Sequence, residues 1–73
     1  MTTQQTWRDA DSVTVAMVLA ALLGLAEVHH EEAVRAEEEG DDKCAVRDAQ
    51  RSSAIIDAIT VLAAARATGD RNP

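Results

Sequence analysis

Aromatic residues are almost missing from this chain. Its 73 residues include no Tyr, no Phe and a single Trp, Trp7. With strand-favouring aromatics this scarce and alanine, the strongest helix former, abundant, the composition argues against sheet and for helix. Proline occurs once, as Pro73, so no proline interrupts a helix through the interior. Glycine occurs only at positions 24, 40 and 69, which leaves few natural breaks. Cys44 is the lone cysteine, so neither an intrachain disulfide nor a Cys-rich zinc site can form. That cysteine usage is consistent with a reducing cytoplasm, where the protein is expected to reside.

Positive charge is also in short supply. Seven basic residues stand against thirteen acidic ones, for a net charge of −6. Direct binding to nucleic acid or to anionic lipid needs basic surface, so both are disfavoured, whereas a basic protein partner is compatible. Arg outnumbers Lys six to one. That bias is of the kind seen in GC-rich bacterial and phage sequences.

One long hydrophobic run is present, from Val13 to Ala26. The uncharged window Ser12–Ala26 closes after about 15 residues, between Asp11 and Glu27, whereas a membrane span needs roughly 20. Asp9 and Asp11 offset Arg8 ahead of the run, which does not suit a secretory signal. The run is therefore expected to pack against protein rather than lipid. Ala16, Ala20 and Gly24 form a small-residue series that suits close helix packing in either setting.

Turn and cap signals divide the chain into two helices. Thr6 with Asp9, and then Asp11 and Ser12, offer N-cap chemistry near the start. Gly40 can take the left-handed conformation that ends a helix, Asp41 or Asp42 can cap the next, and Gly69 can end it. The expected fold is all-α: one domain over residues 1–73, an antiparallel hairpin of helix 8–39 and helix 42–68, with 1–6 and 70–73 frayed. With the turn at Gly40-Asp41, facing residues should sum to about 81. That register sets Leu22 against Ile59, Leu19 against Leu62, Leu25/Ala26 against Ile55/Ile56, Ala33 against Ala49 and Ala36 against Ala45. Apolar faces apolar in each of these layers, with His29 near Ser52 and Ser53 as a polar layer.

A second apolar stripe remains on the first helix: Val13, Ala16, Met17, Ala20, Gly24 and Val28. A hairpin covers one face only, so this stripe is the expected interface with a second copy, two hairpins forming a four-helix bundle. Short chains without disulfide or metal commonly reach stability by such association.

The acidic residues concentrate at the turn, in Glu37, Glu38, Glu39, Asp41 and Asp42. Lys43, Arg47 and Arg51 form a basic stripe expected to meet Glu38/Glu39, Glu32 and Glu31 across the hairpin, and Glu31 is placed to pair with Arg35. Glu37–Glu39 sit at the negative end of the first helix, a local cost that a basic partner would relieve. Glu38-Glu39-Gly40-Asp41 looks like a fragment of the Glu-x-x-Asp motif of the MazG-like helical pyrophosphohydrolases. In that family the motif lies within a helix, whereas Gly40 here reads as a turn, so the likeness assigns no family. Glu27, His29, His30, Glu31 and Glu32 include the Glu-x-x-His spacing of di-metal bundles, yet the second helix offers only Asp48 and Asp57 to complete a set. Cys44 is read as a small structural residue, and Trp7 as an extension of the first apolar stripe or an anchor for a partner.

No metal ligand set, cofactor or catalytic residue is expected. The function these features favour is a non-enzymatic protein acting by protein–protein contact, as a homodimer with an acidic tip for a basic partner. A phage or bacterial accessory, regulatory or anti-defence role would fit that profile. An acidic mimic of nucleic acid, a metal-dependent helical enzyme using the Glu/His cluster, and a small membrane protein are the alternatives.

Overall fold

The computed structural model describes residues 3–71, all of whose regular elements are helices: α1 (Thr3–Asp9), α2 (Ser12–Glu38) and α3 (Asp42–Arg71). Helices α2 and α3 form the antiparallel hairpin, a rod of 53 × 19 × 18 Å. The short α1 folds back onto the far end of α3. Residues 3–6, expected to fray, are thus helical, and the chain breaks at Ala10-Asp11 rather than entering one continuous helix. Helix α3 likewise runs through Gly69 to Arg71 instead of ending at Thr68. Lacking a required turn, Gly69 is simply a weak helical residue. Met1, Thr2, Asn72 and Pro73, also placed in frayed ends by the sequence reading, lie outside the described residues.

The break before α2 follows from its cap. Asp11 has an extended backbone, and its carboxylate accepts the Thr14 N–H at 2.7 Å while its carbonyl accepts the Val15 N–H. Of the candidates near the start it is Asp11, not Thr6, that opens the long helix. Asp41 does the same for α3, accepting the Cys44 N–H at 3.2 Å. These bonds hold both carboxyls below their usual range. For Asp11 the backbone N–H of Thr14 is the main cause, and for Asp41 the Cys44 thiol comes first and the Cys44 N–H second.

Between the helices the chain makes a Schellman turn. Gly40 takes φ +79°, its N–H bonds the Glu37 carbonyl at 3.0 Å, and the Asp41 N–H reaches back to the Ala36 carbonyl at 2.8 Å. That last bond sets the register of the hairpin. It returns Asp41 to the level of Ala36, so facing residues sum to 77 at the turn. Further along, His29 meets Asp48 and Ser52 donates to the Ala26 carbonyl, pairs that sum to 77 and 78.

The expected sum of 81 is thereby corrected by about one helical turn. It had been counted from the midpoint of the turn, as if the chain simply reversed there, whereas the Schellman wrap spends those residues coming back along α2.

Burial traces the two stripes that meet. On α2 the residues shielded from solvent are Val15, Leu19, Leu22, Ala26, His29, Ala33 and Ala36, at alternating steps of 4 and 3. On α3, from Ala45 onward, they are Ala45, Asp48, Ser52, Ile55, Ile59, Leu62 and Arg66, at steps of 3 and 4. Both are unbroken heptad seams. At the observed register Leu22 falls level with Ile55, Leu19 with Ile59, Val15 with Leu62 and Ala33 with Ala45. Most of the expected α2 stripe is in place, but Leu25, Ala49 and Ile56, also expected in the seam, are exposed, Val15, Asp48 and Arg66 join it, and the partners are displaced by a turn.

The far end is closed by α1. Trp7, half-buried, donates its indole N–H to the Leu62 carbonyl at 2.9 Å. Arg66 donates from one guanidinium nitrogen to the carbonyls of Trp7 and Arg8 at 3.0 and 3.1 Å, satisfying the C-terminal end of α1. Trp7 therefore belongs to a separate helix that latches the hairpin, not to the stripe of α2.

Two outcomes follow for stability. A Cβ at Gly40 would meet nothing within 4 Å, so Gly40→Ala should cost backbone strain alone, about 1 kcal/mol in chemical denaturation. The cap carboxyls, with folded pKa values depressed, contribute stability that is present above the ordinary carboxylate pKa of about 4 and is lost as pH falls through the folded values. Asp11→Asn with Asp41→Asn keeps the cap bonds and removes the titration. The drop in melting temperature between pH 7 and pH 3 should therefore be smaller in the double variant than in the wild type.

Candidate interaction surfaces

Four apolar residues are buried, Val15, Ala26, Ala33 and Ala36, three of them alanines, and no large side chain is fully buried among the described residues. Alanines at 26, 33 and 36 bring the two helices close together near the turn, and several larger residues lie outside the seam. Val13 and Met17 are 69% and 68% exposed, and Leu23 and Ile56 are each 49% exposed. Every member of the second stripe, Val13, Ala16, Met17, Ala20, Gly24 and Val28, lies on the exposed surface.

These exposed residues fall on two sides of the hairpin. Seen along the seam, Ala16, Leu23 and His30 of α2 share a flank with Ala49, Ile56 and Ala63 of α3. There a groove of about 240 Å³ runs over Ala26 and Ser52, walled by Leu23 and Ile56 and rimmed by Glu27, His30 and Glu31. On the opposite flank α1 lies against Val61, Leu62 and Ala65. One flank of the apolar half is thus partly covered from within the chain, and the other is open. Val13, Ala16, Met17 and Ala20 belong with the open flank, whereas Val28 turns toward the opposite one. Leu23, which the sequence reading did not name, stands on this open flank together with Ile56, which it had set in the seam layer with Ile55. Their heptad positions beside the seam were the signal that could have found them.

Helix α2 also has the length and apolar composition to cross a membrane. An 18-residue window within it has a mean hydropathy of 1.8, and only 6% of that window is buried in the fold. The uncharged stretch alone is shorter, and Glu27 enters the window.

The polar residues of the seam are satisfied locally. His29 Nδ1 lies 3.1 Å from Asp48 Oδ1, and Arg51 approaches the same oxygen at 3.9 Å. Ser52, the one buried polar residue among the described residues, donates to the Ala26 carbonyl at 2.9 Å. Among the described residues no buried side-chain polar atom is without a partner. The expected His29–Ser52 layer is in fact two layers, each with its own partner, because the register has moved by a turn.

The acidic turn keeps its five predicted members, Glu37, Glu38, Glu39, Asp41 and Asp42, all exposed. The expected pairs across the hairpin are not formed among the described residues. Arg35 pairs within its own helix with Glu32 at 3.3 Å rather than with Glu31. Arg47 donates to the Cys44 sulfur at 3.2 Å, and Arg51 turns to Asp48. Arg47 and Arg51 therefore serve α3, and the residues of the acidic turn are exposed.

No three His, Cys, Asp or Glu side chains converge to hold a metal ion among the described residues. Glu27, His30 and Glu31 line the groove rim, while Asp48, one of two acids that α3 offered them, is engaged by His29. The Glu-x-x-Asp fragment is split by Gly40 in its left-handed turn, so Glu38 and Asp41 belong to different elements.

No family model matches the chain, and no curated protein or solved structure matches it.

Cys44 is half-buried beside Asp41, and that arrangement defines its reactivity. The hydrogen bond to Asp41 is the main reason its pKa is raised, with burial second, while Arg47 pulls the other way. A thiol so placed is a poor nucleophile near neutrality. Its reaction with a disulfide reagent at pH 7.5 should run slower than that of an unstructured cysteine peptide. Asp41→Asn should raise the rate and shift its pH profile to lower pH.

Proposed function

We infer that this chain is a non-enzymatic interaction protein, a helical hairpin that associates with a second copy through its apolar half. Its acidic turn is then left free to engage a basic protein. The observation that carries the reading is the apolar window of α2, only 6% of which is buried in the fold. Burying a large aliphatic side chain from full exposure contributes about 1.5–3 kcal/mol. Val13 and Met17 withhold about two thirds of that from the isolated hairpin, and Leu23 and Ile56 nearly half. Among the described residues the buried apolar seam positions are Val15 and three alanines, while Leu19, Leu22, Ile55, Ile59 and Leu62 are only half-buried, so association is an economical source of further stability. The turn supports the second part of the reading. Its carboxylates have no cross-hairpin partners among the described residues, and the three glutamates sit against the unfavourable end of α2.

Insertion of α2 into a membrane is the second reading, favoured by its length and hydropathy. It is weakened by the helix beside it. Asp57 of α3 is exposed and lies level with Ala20 and Ala21, in the middle of the apolar run, and Arg51 lies near its other end. A hairpin carrying those charges into lipid would incur a penalty of about 2.5–3.5 kcal/mol for each charged residue near the bilayer centre.

Sedimentation equilibrium at micromolar concentration in detergent-free buffer separates the readings. Two copies of the 7.8 kDa chain are expected in one particle. A single-copy mass throughout the range would sink the self-association, and flotation of the chain with lipid vesicles would favour the membrane instead. Reversing Glu37, Glu38 and Glu39 to Lys should leave particle mass unchanged and raise the melting temperature slightly, since the new charges suit the end of α2.

A further inference from the structure

Resting on the self-association just inferred, we propose that the occupant of the open flank is a second copy in an antiparallel two-fold arrangement, centred near Ala20, with the acidic turns at opposite ends. The partners are then fixed in kind. Helix α2 crosses α2 of the second copy, α3 crosses α3, and α1 stays on the outside of each hairpin.

Three features of the flank select this occupant. The first is shape: the same patch carries projections, Leu23 and Ile56, and small residues that can receive them, Ala16, Ala20 and Ser53 among them. A two-fold interface requires a patch that is complementary to itself. With the axis near Ala20, Leu23 comes to rest over Ala16 of the second copy, and Ile56 beside its Thr60.

The second feature is charge. From Ser12 to Ala26 helix α2 carries none, while Glu37, Glu38, Glu39, Asp41 and Asp42 gather at one end of the rod. Pairing the hairpins with turns together would crowd ten carboxylates, five from each copy, whereas the antiparallel arrangement overlaps the uncharged stretches of α2 and keeps the acidic turns apart. At a rise of 1.5 Å per residue, Glu38 of one copy then lies roughly 50 Å from Glu38 of the other, several Debye lengths away at physiological salt.

The third is area. The antiparallel overlap runs from the α3 terminus to about Ala33, roughly 39 Å of rod. Multiplied by the 19 Å width it gives about 1,500 Å² counted over both copies, within the range of about 1,200–2,000 Å² for specific stable interfaces. The opposite flank offers less, because α1 occupies its end against Val61 and Ala65. The product is a four-helix bundle with one acidic turn at each end, able to bridge two basic partners rather than bind one.

The test uses the full chain with Cys44→Ser, so that introduced cysteines are the only thiols. Ala20→Cys in that background should form an interchain disulfide in high yield under mild oxidation, whereas Val28→Cys, on the other flank, should not. A spin label on Glu38→Cys should report a distance of roughly 50 Å between copies. Leu23→Asp should halve the particle mass at micromolar concentration, with helicity by circular dichroism checked for the surviving hairpin. A dimer that cross-links through Val28→Cys instead, or whose Glu38→Cys labels lie within about 25 Å, overturns this arrangement while leaving self-association intact. A particle that is monomeric before any substitution overturns both. If Leu23→Asp unfolds the chain, the disulfide and the label distance decide the matter alone.

Discussion

One hydrogen bond, from the Asp41 N–H to the Ala36 carbonyl, sets the level at which every other residue of α3 meets α2. It is available because Gly40 can take a positive φ, and Asp41 then serves a second purpose by capping α3 with its side chain. From that starting level the two heptad seams run together without a break for the length of α2. His29 finds Asp48, and Ser52 finds the Ala26 carbonyl. A register one turn away would still have placed alanine against alanine and leucine against isoleucine. It would have left the polar members of the seam without these partners, and a buried polar group without a partner costs about 1–3 kcal/mol. The turn and the polar layers thus agree on one register that the apolar residues alone do not choose.

The choice of small residues at the seam has a structural consequence. Ala26, Ala33 and Ala36 allow the helices to approach, yet they leave little apolar area to bury between them. Val15, Leu19 and Leu22 of α2 lie in the seam, but Val13, Met17 and Leu23 lie outside it. That is the physical origin of the exposed flank, and it explains why a chain with so much apolar sequence has no fully buried large side chain among its described residues. The short α1 is the internal answer at one end, where Trp7 and Arg66 bind it to α3 across more than fifty residues of sequence.

The distribution of charge completes the design of the rod. Acids collect at the turn, and Arg47 and Arg51 are engaged within α3, so among the described residues no ion pair across the hairpin neutralises the carboxylates of the turn. The apolar half and the acidic end are separate surfaces on one rigid element, and a contact at one leaves the other available. The proposed interaction role rests on this separation. The hydrogen bond to Asp41 raises the pKa of the Cys44 thiol, and among the described residues no three His, Cys, Asp or Glu side chains converge to hold a metal ion.

Helix content, the position of the turn at Gly40, most of the α2 seam stripe and the acidic cluster were legible in the sequence. They depend on local properties: propensity, capping chemistry and the 3–4 spacing of apolar residues. The register was not legible, because heptad seams repeat, and sliding one past another by a turn preserves the apolar match. Nor was α1, whose existence as a separate helix rests on Trp7 and Arg66 contacts that link the two ends of the chain. The scarcity of aromatics noted at the outset gains its meaning here. With a single Trp and no Phe or Tyr, the chain determined by itself that its seam would be narrow and aliphatic. Only the tertiary structure decided which apolar residues the seam would cover, because that depends on where a six-residue turn returns the chain.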